Sequence, residues 1–312
     1  MAVTMPELNG ELDVAYSSPD EFAAIALAWI TEGVDVLAAD ISAEILAGPP
    51  VAQPYDSGVI DEADPRFAVR PPPLGGDIQI LYPPRNKFYA KPYSRASLKR
   101  LTALAPQCRE ASVELRRMTD RGLSRYRLEV GREGEENGYA RLLVLIPPVP
   151  GADVTADRPE IAYLKNVARR HAPAFGHVSR TGGVPAGETD LEHVLRRRVR
   201  DSLRDWDRYL RGYSWVTVVP AALAPRAGGP DGLRASGAFA VVEELAGGAV
   251  WLQATDRWSE YRADRVERVF EALAPVLPPG MPHKGRQGMP GAIDYLVSWR
   301  DAEALRPGGP GA

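Results

Sequence analysis

His171 and His177 stand six residues apart across Pro173 and Phe175, with Glu188 and Asp190 following closely. Imidazole nitrogens joined by carboxylate oxygens are a donor set for zinc or iron. A turn gathering His171, His177 and Glu188 would therefore be the place for an enzyme with an unfamiliar centre. A six-residue gap across a proline is not a recognised ligand spacing, and a plainer reading competes. His171 closes a helix, where a charged imidazole suits the negative end of the dipole, and His177 starts a strand. His193, in the first turns of a basic helix, reads as exposed. No metal ligand is assigned.

Other chemistry has no local support. The chain lacks a Gly-x-Ser-x-Gly elbow, a His-x-x-x-His pair, a Walker loop and a Gly-x-Gly-x-x-Gly after a strand. Ser236 sits in Ala-Ser-Gly without the glycine two positions earlier that a nucleophile elbow needs. Cys108 is the only cysteine, so neither an intramolecular disulfide nor a thiolate zinc cage can form within one chain. No catalytic residue and no cofactor are expected.

Arg196, Arg197, Arg198, Arg200, Arg204, Arg208 and Arg211 crowd a helix predicted from about Thr189 to Leu210, and such a face could follow phosphates. Asp201, Asp205 and Asp207 are interleaved with them. Arg197 with Asp201, and Asp207 with Arg211, have the four-residue spacing of helix ion pairs. The expectation is a solvated, salt-bridged face and no nucleic-acid partner. The net charge of −3 agrees with this.

Aromatic side chains point to binding. Alternation puts Tyr213, Trp215 and Thr217 on one face of a strand, and Trp251, Gln253 and Thr255 on one face of another. The loop between Asp256 and Tyr261 adds Arg257, Trp258 and Tyr261. Tryptophan, tyrosine and arginine dominate binding hot spots because they bury large areas and keep polar handles. Trp215, Trp251, Gln253, Arg257, Trp258 and Tyr261 are accordingly the candidate binding residues. The competing reading is that this face is internal, covered by the first half of the chain.

These residues need elements to hold them. Ser18 or Asp20 caps a helix through Ile30, after a leader or edge strand over residues 1–18. Strands are predicted at 77–82, 111–118, 123–130, 139–146, 213–219, 240–245, 249–255 and 293–299. Helices are predicted at 94–105, 159–171, 189–210 and 262–274. The run 48–76 holds seven prolines and reads as a surface loop. The prolines at 147–150 suggest a boundary, giving halves at 1–150 and 151–305 and a disordered tail at 306–312. Each half carries Gly-Gly, a strand, an aromatic loop, a helix and Ala-Leu-Ala-Pro, at 75–106 and 247–275, so the halves could be related. The fold class is α+β, with antiparallel or mixed sheets covered by helices.

With 312 residues, 45% hydrophobic and 25% charged, the chain can bury a full core. Its longest apolar segment, Phe22 to Ile30, is short of the roughly 20 residues of a membrane span. The N-terminus lacks the basic and apolar regions of a secretory signal. A cytoplasmic protein with no membrane partner is expected.

The stretch Arg211-Gly212-Tyr213-Ser214-Trp215-Val216-Thr217-Val218 is followed by the Gly228-Gly229 loop, the strand 249–255 and a helix ending Ala272-Leu273-Ala274-Pro275-Val276-Leu277-Pro278. In that order of elements the chain resembles the type VI immunity protein family over about a third of its length. The resemblance implies a non-enzymatic protein that neutralises a cognate toxin by occlusion, with a protein as its partner. The alternatives are the enzyme near His171, His177 and Glu188, or an accessory structural subunit of a larger assembly.

Overall fold

In the computed structural model of the protein the described residues are 7–48, 74–83, 87–119, 122–133, 138–148, 151–181, 184, 187–283 and 296–306. They form ten strands and eight α-helices, an α+β fold. The chain divides into two compact units, one made of Met1–Tyr16 with Glu133–Ala312 and the other of Ser17–Arg132. This corrects the division expected near residue 150. The chain leaves the first unit after its first strand, builds the second, and returns.

In the first unit the strand order is β6-β1-β7-β8-β10-β9, with antiparallel pairs throughout: β1 (Leu8–Ala15), β6 (Tyr139–Ile146), β7 (Phe175–Arg180), β8 (Val216–Val219), β9 (Val241–Glu244) and β10 (Val250–Gln253). β1 is no loose leader. It lies between β6 and β7, and only Ala15 at its end is exposed. Leu8, Leu12 and Val14 share one face with Leu142, Val144, Ile146 and Val178, all at most 1% exposed. Helix α4 (Pro159–His171) packs there, close enough for a Cβ on Gly10 to meet Leu164 Cδ2 at 2.8 Å. The opposite face carries Glu11, Asp13 and His177.

The helix predicted over 189–210 is broken. Thr189 caps α5 (Asp190–Leu195) with the predicted capping box to Glu192. Arg196 then turns left-handed at φ 55°, and α6 (Val199–Arg204) follows. No glycine or proline lies between 189 and 204, so tertiary packing ends the helix against local propensity. The predicted spacings dissolve with it. Arg197 pairs with Asp205 at 3.2 Å, Arg204 pairs with Asp201, and Arg211 leaves the helix altogether. Two further helices complete the unit, α7 (Gly229–Ala235) and α8 (Asp264–Leu273), the latter burying Val266, Val269, Phe270 and Leu273.

The second unit has the antiparallel order β3-β2-β4-β5: β2 (Leu74–Tyr82), β3 (Lys87–Pro92), β4 (Glu110–Thr119) and β5 (Gly122–Glu133). Ile78, Ile80, Ala111, Val113, Leu115, Leu128 and Val130 are buried on one face. Helices α1 (Pro19–Leu37), α2 (Ala39–Ala47) and α3 (Arg95–Leu104) lie against β2 and β4. Ser18 caps α1 with Pro19 in the first turn, as the sequence predicts, but α1 runs a further two turns past Ile30. No single described helix is long and apolar enough to cross a membrane; α1 and α2 pass that test only as a pair bent by 95°.

In the echo at 75–106 and 247–275, β2 and α3 answer to β10 and α8, while β3 has no strand counterpart. Most of the loop 48–76, residues 293–295 of the strand predicted at 293–299, and the tail beyond Arg306 lie outside the described residues; Leu296 to Trp299 carry no strand.

Candidate functional site

The aromatic residues do not form an open face. Register is the reason. Trp251 pairs with Val218, and Leu252 with Thr217. Paired residues of an antiparallel ladder share a face, so Trp251 and Gln253 point to one side of the sheet while Trp215 and Thr217 point to the other. One residue of register separates this from the expected arrangement. Each side is then covered. Trp251 lies beneath α4, with Lys165 Nζ 5.6 Å from its ring, and is 1% exposed.

On the opposite side Trp215 meets Trp258 edge to face and Trp258 meets Tyr261 at a tilt of 43°, with ring centroids 6.0 Å apart at each step. All three are at most 0% exposed, and Gln253 is 3% exposed. Trp215 Nε1 donates to Thr255 O at 2.8 Å, and Gln253 Nε2 donates to the same carbonyl at 2.8 Å. Tyr213, beside Phe270, accepts from the Ser298 amide at 2.6 Å. Burial pushes its hydroxyl above its ordinary range. These side chains are core, and five of the six candidate binding residues are excluded from direct contact with a partner.

Arg257 is the sixth, and it is exposed, as are Asp256, Ser259 and Glu260 around it. Its backbone is fixed from several directions. Thr255 Oγ1 donates to Arg257 O at 2.7 Å, Arg257 bridges to Thr155, and the Trp258 amide donates to Val154 O at 2.9 Å. Ser259 Oγ donates to Asp153. The buried rings thus anchor a short loop whose guanidinium has no ion-pair partner among the described residues.

Arg211 is the residue the sequence placed worst. It is 2% exposed, on the polar face of the sheet in the first unit. Its guanidinium donates to Asp13, to both oxygens of Glu192 at 2.9 and 3.0 Å, and to Gly187 O at 2.7 Å, while Glu11 lies 3.8 Å away. Burial pushes the Glu11 and Asp13 carboxyls up, against the pull of Arg211 and Arg141. Burial acts on Glu192 too, but Arg211 and the Thr189 amide outweigh it and hold the carboxyl low. Arg211 stays cationic well above the ordinary range. This buried cluster ties β1 to α5.

The histidine reading fares no better. His177 is 4% exposed, edge-on to Phe175 at 5.3 Å; burial and then Arg211 lower its pKa to about 4. Glu188 turns instead to His193, Oε2 to Nδ1 3.2 Å, which leaves His193 half-buried where exposure was expected. Asp190 is raised to about 6 by burial, opposed by Arg180 and His193. The described residues contain no group of three His, Cys, Asp or Glu side chains placed to hold a metal.

No protein-family model and no curated protein sequence matches the chain. Among solved structures it is similar to a Pseudomonas aeruginosa T6SS protein, PA0821, with 14% identity and a TM-score of 0.51 over 96% of this chain and 81% of that one. At that identity the likeness is one of fold.

Proposed function

We propose that the protein is a non-enzymatic binding component associated with type VI secretion, an immunity protein that neutralises a cognate toxin by occluding it. The observation that carries this reading is the loop around Arg257. An exposed, unpaired arginine stands on a backbone held by buried tryptophan and tyrosine rings. The backbone beneath it is already ordered, so only the side chain has to be fixed on binding, and arginine is among the residues enriched in hot spots. The shared fold with a T6SS protein supports the association with secretion, and the sequence resemblance to immunity proteins supports the inhibitory role.

Occlusion requires a rigid complementary surface and no reacting group, and the anchoring of residues 255–260 supplies the rigidity. The test is capture of partners from the native lysate by the protein and by its Arg257→Glu variant. A partner retained by the first and lost by the second supports the reading; equal recovery by both rejects this surface. Recovery of a fixed stoichiometric complex, insensitive to Arg257, would identify an accessory subunit instead.

A further inference from the structure

We propose a second docking surface, in the other unit: the free edge of β3 takes an extended segment of a partner protein whose acidic side chains fall at alternate positions. It goes beyond the Arg257 reading and stands or falls without it.

β3 ends the strand order of its unit, and Lys87, Phe88, Ala90 and Lys91 are exposed, Phe88 by 56%. The ladder fixes which backbone groups are free. Tyr93 N–H donates to Gly76 O at 2.8 Å. Hydrogen-bonded and non-bonded pairs alternate along an antiparallel ladder. With Ile78 opposite Lys91 and Ile80 opposite Tyr89, the backbone groups of Lys87, Tyr89 and Lys91 face β2. Those of Phe88 and Ala90 face outward. At the end of this strip the Pro92 carbonyl is taken by Ser97 Oγ at 2.8 Å. Among the described residues no strand pairs with this edge, so two donors and two acceptors at the spacing of a strand are available to an added strand.

Charge decides what kind of strand. From Pro83 to Arg109 the sequence contains no acidic residue. Lys87, Lys91, Arg95, Lys99 and Arg100 are exposed, and none has an ion-pair partner among the described residues. The strand at the opposite end of the other unit's order differs. On β9, Glu243 is held by both Lys165 and Arg169. Lys87, Tyr89 and Lys91 lie on the same face of β3, so in an added strand with acids at alternate positions the acids four apart would meet both lysines. The intervening residues share the face of Phe88, which suits an apolar side chain.

A pocket of about 240 Å³ lies where β3 gives way to α3, lined by Ile45, Leu46, Gly76, Pro92, Tyr93 and Arg95 among others. It can receive one side chain from the end of the added strand. The competing account is that Lys87, Lys91 and Pro92 only guard an edge against aggregation; that account predicts no ligand.

The test is fluorescence anisotropy with three labelled peptides: alternating Glu and Val, alternating Gln and Val, and the same Glu and Val in two blocks. The first is expected to bind at least about tenfold more tightly than the others, and to weaken in about 0.5 M NaCl. Lys87→Glu/Lys91→Glu, which alters only exposed side chains, should lose about tenfold in affinity for it. Ala90→Pro, which removes an outward N–H without breaking the ladder to β2, should lose binding with an unchanged melting curve. Equal binding of the blocked peptide, undiminished binding by the double variant, or no binding at all would overturn the proposal. So would tighter binding of a single-stranded oligonucleotide or of phosphatidylserine vesicles, or self-association through this edge in sedimentation equilibrium.

Discussion

At the residue scale, Arg211 shows how burial changes what a charge is for. Its guanidinium meets Asp13 and Glu192 directly and Glu11 at longer range, all inside the first unit. A buried ion cluster adds little net stability over an apolar core of the same volume, but removing one partner strands the others. Arg211→Ala should therefore cost roughly 3–5 kcal/mol in urea unfolding. The sign of its pH dependence is diagnostic. Without the cation, carboxyls that burial already pushes up rise further in the folded state, which then binds more protons than the unfolded chain. The variant should regain stability as pH falls from 7 towards 5. A variant equally unstable at both pH values would show that the loss comes from packing alone. Arg257 belongs to the same scale with the opposite role, since its charge is exposed and its removal should leave the urea midpoint unmoved.

At the element scale, helix termini give the cleanest forecast. α4 ends in Ala172 at φ 43°, ψ 67°, a left-handed conformation that glycine adopts without penalty. The Ala172 side chain is exposed and lies beside Gly247, so Ala172→Gly loses little packing and should stabilise by about 0.5–1 kcal/mol, read as a higher melting temperature. A lower melting temperature would mean that this turn depends on the methyl group. What was legible in the sequence divides along similar lines. α4 and β6 fall at their predicted bounds because the apolar residues of α4 follow the helical period, those of β6 form a continuous run over 142–146, and a proline or glycine marks an end. β1 reads as a leader or an edge strand, and its central place is missed because its inward charges, Glu11 and Asp13, make it look hydrophilic. The aromatic residues were found, but the pairing of Trp251 with Val218 is a long-range fact that alternation within one strand does not contain. β3, bounded by Pro83 and Pro92 and carrying Lys87 and Lys91, lacks the apolar face by which strands are recognised. Its edge becomes visible only with the strand order.

At the scale of the whole molecule, two buried groups of the first unit pull the acid stability in opposite directions. His177 is neutral in the fold, with a pKa lowered to about 4, whereas an unfolded histidine takes its proton near 6.5. As pH falls between those values the unfolded chain binds more protons, so the fold loses stability, by no more than roughly 3–4 kcal/mol at 1.36 kcal/mol per unit. Asp190 is raised to about 6, against 3.8 for the free group. Over that window the folded state binds the extra proton, so the fold gains stability on acidification, by less because its side chain keeps some contact with water. The two effects overlap between about pH 6 and 4 and leave a shallow slope. Removing either should expose the other. His177→Gln should flatten or reverse the loss between pH 6.5 and 4, and Asp190→Asn should steepen it. Urea midpoints measured at intervals across that range check both. Parallel curves for the two variants and the unaltered protein would mean that neither group titrates in the folded state as its surroundings dictate.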